Sequence, residues 1–422
     1  MQPVLITFVL LLLLKLGVQY WLDLMNAKSV KAAASSVPEP LQGVMDEPTY
    51  ARSVEYTLAK NRLGRCEMLY DAIIILLVLF PWIGGTAPIV YLWNALEAQL
   101  GVGVWGQSSI LFLIGIALSL PGIPWEWYGQ FRLEERFGFN KSTVQLWLTD
   151  KIKGLVLSML IAIPLIALVL WLVSLSTLWW LWAFITLFAF QLVMVVVYPM
   201  YIMPLFNKFE ELPEGGLRER LVGLGDRTGF LAKTILVMDG SKRSGHSNAF
   251  FTGFGRFRRI VLFDTLIEQL SERELEAVLA HEIGHYKKGH IPKTMLLAAA
   301  SLFVSFAFIG WLAQASWFVI PFGFEMLPGQ LGPTLLLFGL LSGFLTFWLS
   351  PLTNRLSRKH EYEADHFAYK ALDSDAVPMI GALRALSEKN LSNLTPHPYY
   401  SAFYYSHPTL LERESALNAY SK

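Results

Sequence analysis

Ser271-Glu272-Arg273-Glu274-Leu275-Glu276-Ala277-Val278-Leu279-Ala280-His281-Glu282-Ile283-Gly284-His285-Tyr286-Lys287-Lys288-Gly289 decides how this chain is read. Ser271 and Glu274 form a capping box: the hydroxyl accepts from the backbone three residues on, and the carboxylate reaches back. Leu275, Val278 and Leu279 continue as an apolar helical stripe. Gly289, after Lys287-Lys288, is a stop signal with cations at the negative end of the helix dipole. The pattern predicts a helix over about 272–288. On it His281 and His285 are four apart and share a face, so both imidazoles can reach one metal ion. Glu282 stands beside that ion, where it can take a proton from a bound water. Gly284, inside the helix, costs about 1 kcal/mol relative to Ala. That predicts a close approach by a neighbouring backbone.

The surrounding chain is a membrane protein by composition. Of 422 residues, 54% are hydrophobic and 16% charged, against roughly 25% charged in soluble domains. Apolar runs long enough to cross a bilayer lie near 4–22, 69–95, 108–127, 154–174, 177–203, 294–316 and 332–352, about seven spans. The second contains Pro81 and Gly84-Gly85 and is expected to kink. The first reads as a retained anchor rather than a signal peptide. Met1-Gln2-Pro3-Val4 has no basic residue, and Lys15, interrupting the run, is expected to snorkel toward one interface. The expected fold is therefore an all-α multi-pass membrane protein with a small α+β domain built from its loops. The organisation reads as 1–203 (spans one to five), 204–293 (hairpin and 272–288 helix), 294–352 (spans six and seven) and 353–422 (a C-terminal segment).

Lys and Arg alternate sharply between loops. Segments 23–68, 128–153, 204–293 and the tail are rich in them, while 96–107, 175–176 and 317–331 have none. The positive-inside rule then puts the N-terminus outside and both soluble segments on the cytoplasmic side. A net charge of +1 gives no electrostatic case for nucleic acid. A single cysteine, Cys66, excludes an intrachain disulfide and a Cys-based zinc site, and reads as a packed small side chain. The mid-span runs are nearly free of ionisable groups, which argues against transport.

Catalytic zinc takes three protein ligands plus water. Six residues after His285 stands Ile291, not histidine, so a third ligand must come from elsewhere. The best candidate lies in Ser357-Arg358-Lys359-His360-Glu361-Tyr362-Glu363-Ala364-Asp365-His366, which reads as helix. Glu361 and Asp365 share a face and Glu363 points roughly the opposite way. Glu361 would bind zinc. Asp365 would accept the outer N–H of a liganding histidine or, alternatively, pass a proton to the reacting amide. His360 and His366 read as surface residues, and His290 as a packing residue or a partner behind a ligand rather than a fourth ligand. Strands are expected at 235–239, about 247–252 and 258–263, with Gly253 and Gly255 at a turn. An edge strand there could pair with an extended peptide, and Asn248-Ala249 is placed to do so.

Several stretches together resemble the Ste24-type CAAX prenyl proteases, integral-membrane zinc metallopeptidases of the M48 group. They are Ser247-Asn248-Ala249-Phe250, Ile260 through Leu266, the His281–His285 motif with His290, and Ser357-Arg358 through Asp365. Tyr405-Ser406-His407-Pro408, Leu410 through Arg413, and Glu134 through Lys141 complete the set. The resemblance implies one Zn2+ per chain on His281, His285 and Glu361, with Glu282 as catalytic base. It implies that Asn248 and Ala249 contact substrate backbone and that His407 and Arg413 line the cleft. Those two could stabilise the oxyanion or hold the peptide's C-terminal carboxylate. It further implies seven helices around a water-filled chamber, in a lipid bilayer, and a peptide or protein substrate that is lipidated for the eukaryotic members. The absence of an ER-retrieval lysine pair before Lys422 leans toward a bacterial inner-membrane member. A broad quality-control protease of the same chemistry is the alternative expectation.

Overall fold

The computed structural model describes residues 3–82, 84–230, 234–252, 259–326 and 330–420. Among them, six helical segments are long and apolar enough to cross a membrane: Pro3–Ala32, Val104–Phe137, Val144–Leu175, Trp179–Leu205, His290–Leu312 and Gly332–Ala371. Glu47–Leu79 is as long as these at 33 residues, but carries Arg62, Arg65, Glu67 and Asp71 beside its apolar C-terminal half. The six are roughly consistent with the expected number of about seven.

The expected second span at 69–95 is broken rather than kinked. The Glu47–Leu79 helix ends before Pro81, Gly84 and Gly85 take positive φ of 56° and 82°, and a separate helix, Pro88–Leu100, follows. Two consecutive left-handed residues cannot continue an α-helix, and 13 residues span only about 20 Å, short of a bilayer core. The first helix also runs on to Ala32, beyond the apolar run read near 4–22.

Lys15 does not snorkel outward. Its Nζ lies 5.2 Å from the Phe344 ring and 5.7 Å from that of Phe347. It lines a cavity of about 680 Å3 among the spans, with Glu67, Asp71 and Glu126. Charged side chains from three helices thus share one cavity with apolar neighbours such as Leu12 and Phe344, an association that no single apolar run shows. Cys66 is exposed rather than packed.

Apolar packing divides between the spans and the loops. One buried cluster joins Leu5, Phe8 and Leu12 to Leu79, Trp93, Ile110, Phe322 and Leu337. Another joins Leu221, Leu224, Ile260, Leu262, Leu275, Leu279 and Ile283 to Ala368 and Ala382, so segments far apart in sequence share one core.

That second core is backed by a four-stranded sheet in the order β1-β2-β4-β3. The strands are β1 (Phe209–Glu211), β2 (Thr234–Met238), β3 (Ala249–Thr252) and β4 (Arg259–Phe263). β2 and β4 are parallel, and the other pairs antiparallel. The three expected strands form. β1 escaped notice because Phe209-Glu210-Glu211 has no apolar alternation. The turn expected at Gly253 and Gly255 lies outside the described residues.

Candidate metal centre

The Glu272–Lys287 helix begins with the expected capping box, both reciprocal bonds being made, and Gly289 follows its end in the left-handed region at φ 66°. One residue later the His290–Leu312 span starts, so this helix sits directly on the end of a membrane helix. Its partner, Ser350–Ala371, is the continuation of the last span through one 3-10 turn. The two helices touch at Gly284: a Cβ there would lie 2.9 Å from Ala364 Cα and 3.1 Å from Phe367 Cβ. This is the close backbone approach expected from a glycine inside a helix, and it brings Glu361 to the two histidines.

His281 Nε2 lies 3.1 Å from His285 Nε2 and 3.4 Å from Glu361 Oε2, and His285 Nε2 lies 3.3 Å from Glu361 Oε1. Tetrahedral ligands about 2.0–2.1 Å from one ion stand roughly 3.3–3.4 Å from each other, so the spacing fits a single small cation. Glu361 is 3% exposed, and its Oε2 has no hydrogen-bond partner among the described residues. Buried polar atoms are nearly always satisfied. A cation would satisfy this one.

Each histidine is held from behind. His281 Nδ1 is 2.8 Å from Asp365 Oδ1. With Nδ1–H donating there, the Nε2 lone pair is left facing the centre. Asp365 is fully buried, and Arg413 donates to both its oxygens, Nε to Oδ2 at 2.8 Å. His285 Nδ1 meets His290 Nδ1 at 3.0 Å, and His290 Nε2 meets Glu363 Oε2 at 2.9 Å. If His285 donates to His290 and His290 to Glu363, His285 Nε2 is also free. His360 stacks on His290 at 4.0 Å. A His290→Phe variant is therefore expected to lower zinc affinity about 10–100-fold, the usual cost of losing an outer partner. Competition with a chelator of known affinity measures it, and an unchanged constant would refute the relay.

Burial on its own would lower the His281 pKa. The bonds with Asp365 and Glu361 overturn that and raise it to about 9 in the metal-free chain, so an entering cation displaces a proton. Burial pushes the Glu282 carboxyl up.

Several expected positions shift. Asp365 cannot reach a substrate amide: it is 0% exposed and both oxygens are engaged. Arg413, 8% exposed, is buried behind the centre rather than lining an open cleft. His360 is buried, not on the surface, because it packs against His290, and His366 is half-buried beside Tyr420. His407 is exposed, with Nε2 3.5 Å from Glu361 Oε1. Asn248 and Ala249 fall at the sheet edge, since among the described residues β3 pairs only with β4. The Asn248 carbonyl accepts from Phe263 N–H. A trans peptide then turns the Ala249 N–H outward, where Asn248 Oδ1 accepts it at 2.9 Å. The Glu363–His290 link was missed. Its signal was the placement of Glu363 on the far face of its helix.

Long apolar helices that end in this histidine–carboxylate centre, with a glutamate next to the first histidine, define a membrane-embedded metallopeptidase. Residues 26–208 match the model described as CAAX prenyl protease N-terminal, five membrane helices, and residues 211–421 match Peptidase family M48. CAAX prenyl protease 1 of Saccharomyces cerevisiae is 37% identical over 93% of this chain and 90% of its own. The human CAAX prenyl protease 1 homolog is 32% identical over 92% and 90%. The crystal structure of S. mikatae Ste24p superposes with a TM-score of 0.87 at 33% identity, covering 99% of each chain. The chain belongs to peptidase family M48 and is a membrane metalloprotease of Ste24 type.

Proposed function

We propose that the chain is a zinc endopeptidase that removes C-terminal residues from CAAX-type, prenylated substrates on the cytoplasmic side of its membrane. The observation that carries the metal assignment is the orphaned Glu361 Oε2 beside two histidine nitrogens at ligand spacing. His281, His285 and Glu361 would hold the ion. When bound, zinc supplies Lewis acidity, which polarises the scissile carbonyl and brings a water's pKa near 7. Glu282 takes the water's proton and delivers it to the leaving amine. His407, exposed next to Glu361, donates a hydrogen bond to the oxygen that gains charge. Asp365, held by Arg413, keeps His281 in the tautomer that can bind the ion. The outward N–H of Ala249 pairs with substrate backbone once Asn248 Oδ1 lets it go. The relatives' names support the CAAX assignment. The loop charges support the cytoplasmic side.

The test is cleavage of a farnesylated CAAX peptide and its unprenylated twin by purified, zinc-analysed protein. Faster cleavage of the farnesylated peptide is expected. Equal rates would remove prenyl specificity and leave a broad protease, while absence of bound zinc would sink the metal assignment. Inverted membrane vesicles, cytoplasmic face out, should cut the same peptide without detergent. Cleavage only by right-side-out vesicles would reverse the orientation.

A further inference from the structure

We propose that the polar cavity beside the metal centre binds the free C-terminal carboxylate of the substrate, with the Asn61 amide and the Lys60 ammonium as donors. The inference rests on the peptidase reading above and adds a subsite to it. The cavity has a volume of about 550 Å3, within the roughly 300–1,000 Å3 of ligand sites. His407 forms part of its wall and stands 3.5 Å from Glu361, so a chain passing the centre can enter it directly. His246 and Asn390 form another part.

The free edge of β3 sets the direction. Antiparallel pairing is the stronger geometry. A peptide antiparallel to β3 runs from the Thr252 end toward the Ala249 end. Beyond Ala249 the chain leads back through Asn248 to His246, at the cavity wall. The peptide's C-terminal part therefore points into the cavity, and its N-terminal part away from it.

The walls match an anion. Asn61 is 8% exposed and its Nδ2 has no partner among the described residues. A buried donor left unmade costs about 1–3 kcal/mol, and a ligand oxygen would remove that cost. Two further asparagines have their acceptor ends occupied. Asn26 Oδ1 accepts from His397 N–H at 3.1 Å, and Asn390 Oδ1 faces His246 Nδ1 at 2.8 Å. Their N–H2 ends are what remain for a ligand. Lys60 brings a formal positive charge, and no Asp or Glu is among the described lining residues. Glu134, outside the lining, accepts from Tyr56 Oη at 2.7 Å through Oε1, and its Oε2 stands 3.5 Å from His246 Nε2, so its charge faces the His246 ring. Donors and one cation suit a terminal carboxylate and oppose a terminal ammonium. Arg413, the cation expected from sequence to hold that carboxylate, is committed to Asp365.

Two peptides of one sequence, ending in a free carboxylate or a carboxamide, test this with the zinc-loaded full chain. Wild type is expected to favour the free acid by about tenfold or more in kcat/KM, the scale of a charge-assisted bond. Lys60→Gln and Asn61→Leu should each bring the acid-to-amide ratio toward one, mainly through KM, and Lys60→Arg should preserve it. If Asn61→Leu does not fold, the exposed Lys60→Gln carries the test. A wild-type ratio near one, or a ratio unchanged in Lys60→Gln, overturns the subsite while the peptidase stands. Wild type that cuts neither peptide overturns the peptidase reading and the subsite with it.

Discussion

Replacing Glu282 by Gln is expected to lower kcat/KM for peptide cleavage by about 10²–10⁴-fold, the range for losing a general base, while zinc stays at one per chain. The amide keeps the volume of the carboxylate and removes only its capacity to accept a proton. Glu282 is not among the atoms at ligand spacing, which are His281, His285 and Glu361. Metal content and catalysis should therefore separate. Burial already raises the Glu282 carboxyl pKa, moving it toward the value a base needs near neutral pH. Steady-state kinetics with zinc analysis on the same preparation reads both. A variant keeping most of its activity would remove Glu282 from the mechanism. A variant that lost zinc would recast it as a structural residue.

Arg413→Met should act on stability and metal together. Asp365 is buried completely and depends on Arg413 for two of its hydrogen bonds. Removing one member of a buried pair leaves an uncompensated charge and costs roughly 3–5 kcal/mol. Asp365 can escape that cost by taking up a proton, but it then accepts less strongly from His281. Zinc affinity is expected to fall about 10–100-fold. The double variant Arg413→Met with Asp365→Asn removes the stranded charge, so it should regain part of the stability without regaining the affinity. Thermal unfolding with and without zinc, and zinc titration of each variant, measure both effects. An Arg413→Met protein with unchanged Tm and zinc affinity would mean the guanidinium does not support the centre.

Legibility followed the range of the interactions involved. The capping box, the histidine spacing and the Gly289 stop are contacts within one turn of helix, so residue order alone contains them. Spans were readable because apolar length is a one-dimensional property. The break after Leu79 was only half-readable: Pro81 and the glycine pair marked the place, but whether a helix bends or stops depends on what packs against it. Lys15 was misread for a similar reason. Its partners, Asp71 and two phenylalanine rings, belong to other helices. His360 looked like solvated surface until His290 was brought against it from another span, where His290 also meets Glu363.

By itself the sequence determined a multi-span chain, a helix with two imidazoles and a carboxylate on one side, and a short list of acids to complete the set. Only the tertiary structure decided how those pieces meet. The last span runs on through one 3-10 turn into the helix bearing Glu361, and Gly284 lets that helix approach within contact of the histidines. It also turned Arg413 from a residue facing the substrate into the buried partner of Asp365, and drew attention to Lys60 and Asn61. The physical reason is that ligand geometry and desolvation are set by distances between segments far apart in the chain. A linear pattern fixes which groups are available but not which of them are pressed together out of water.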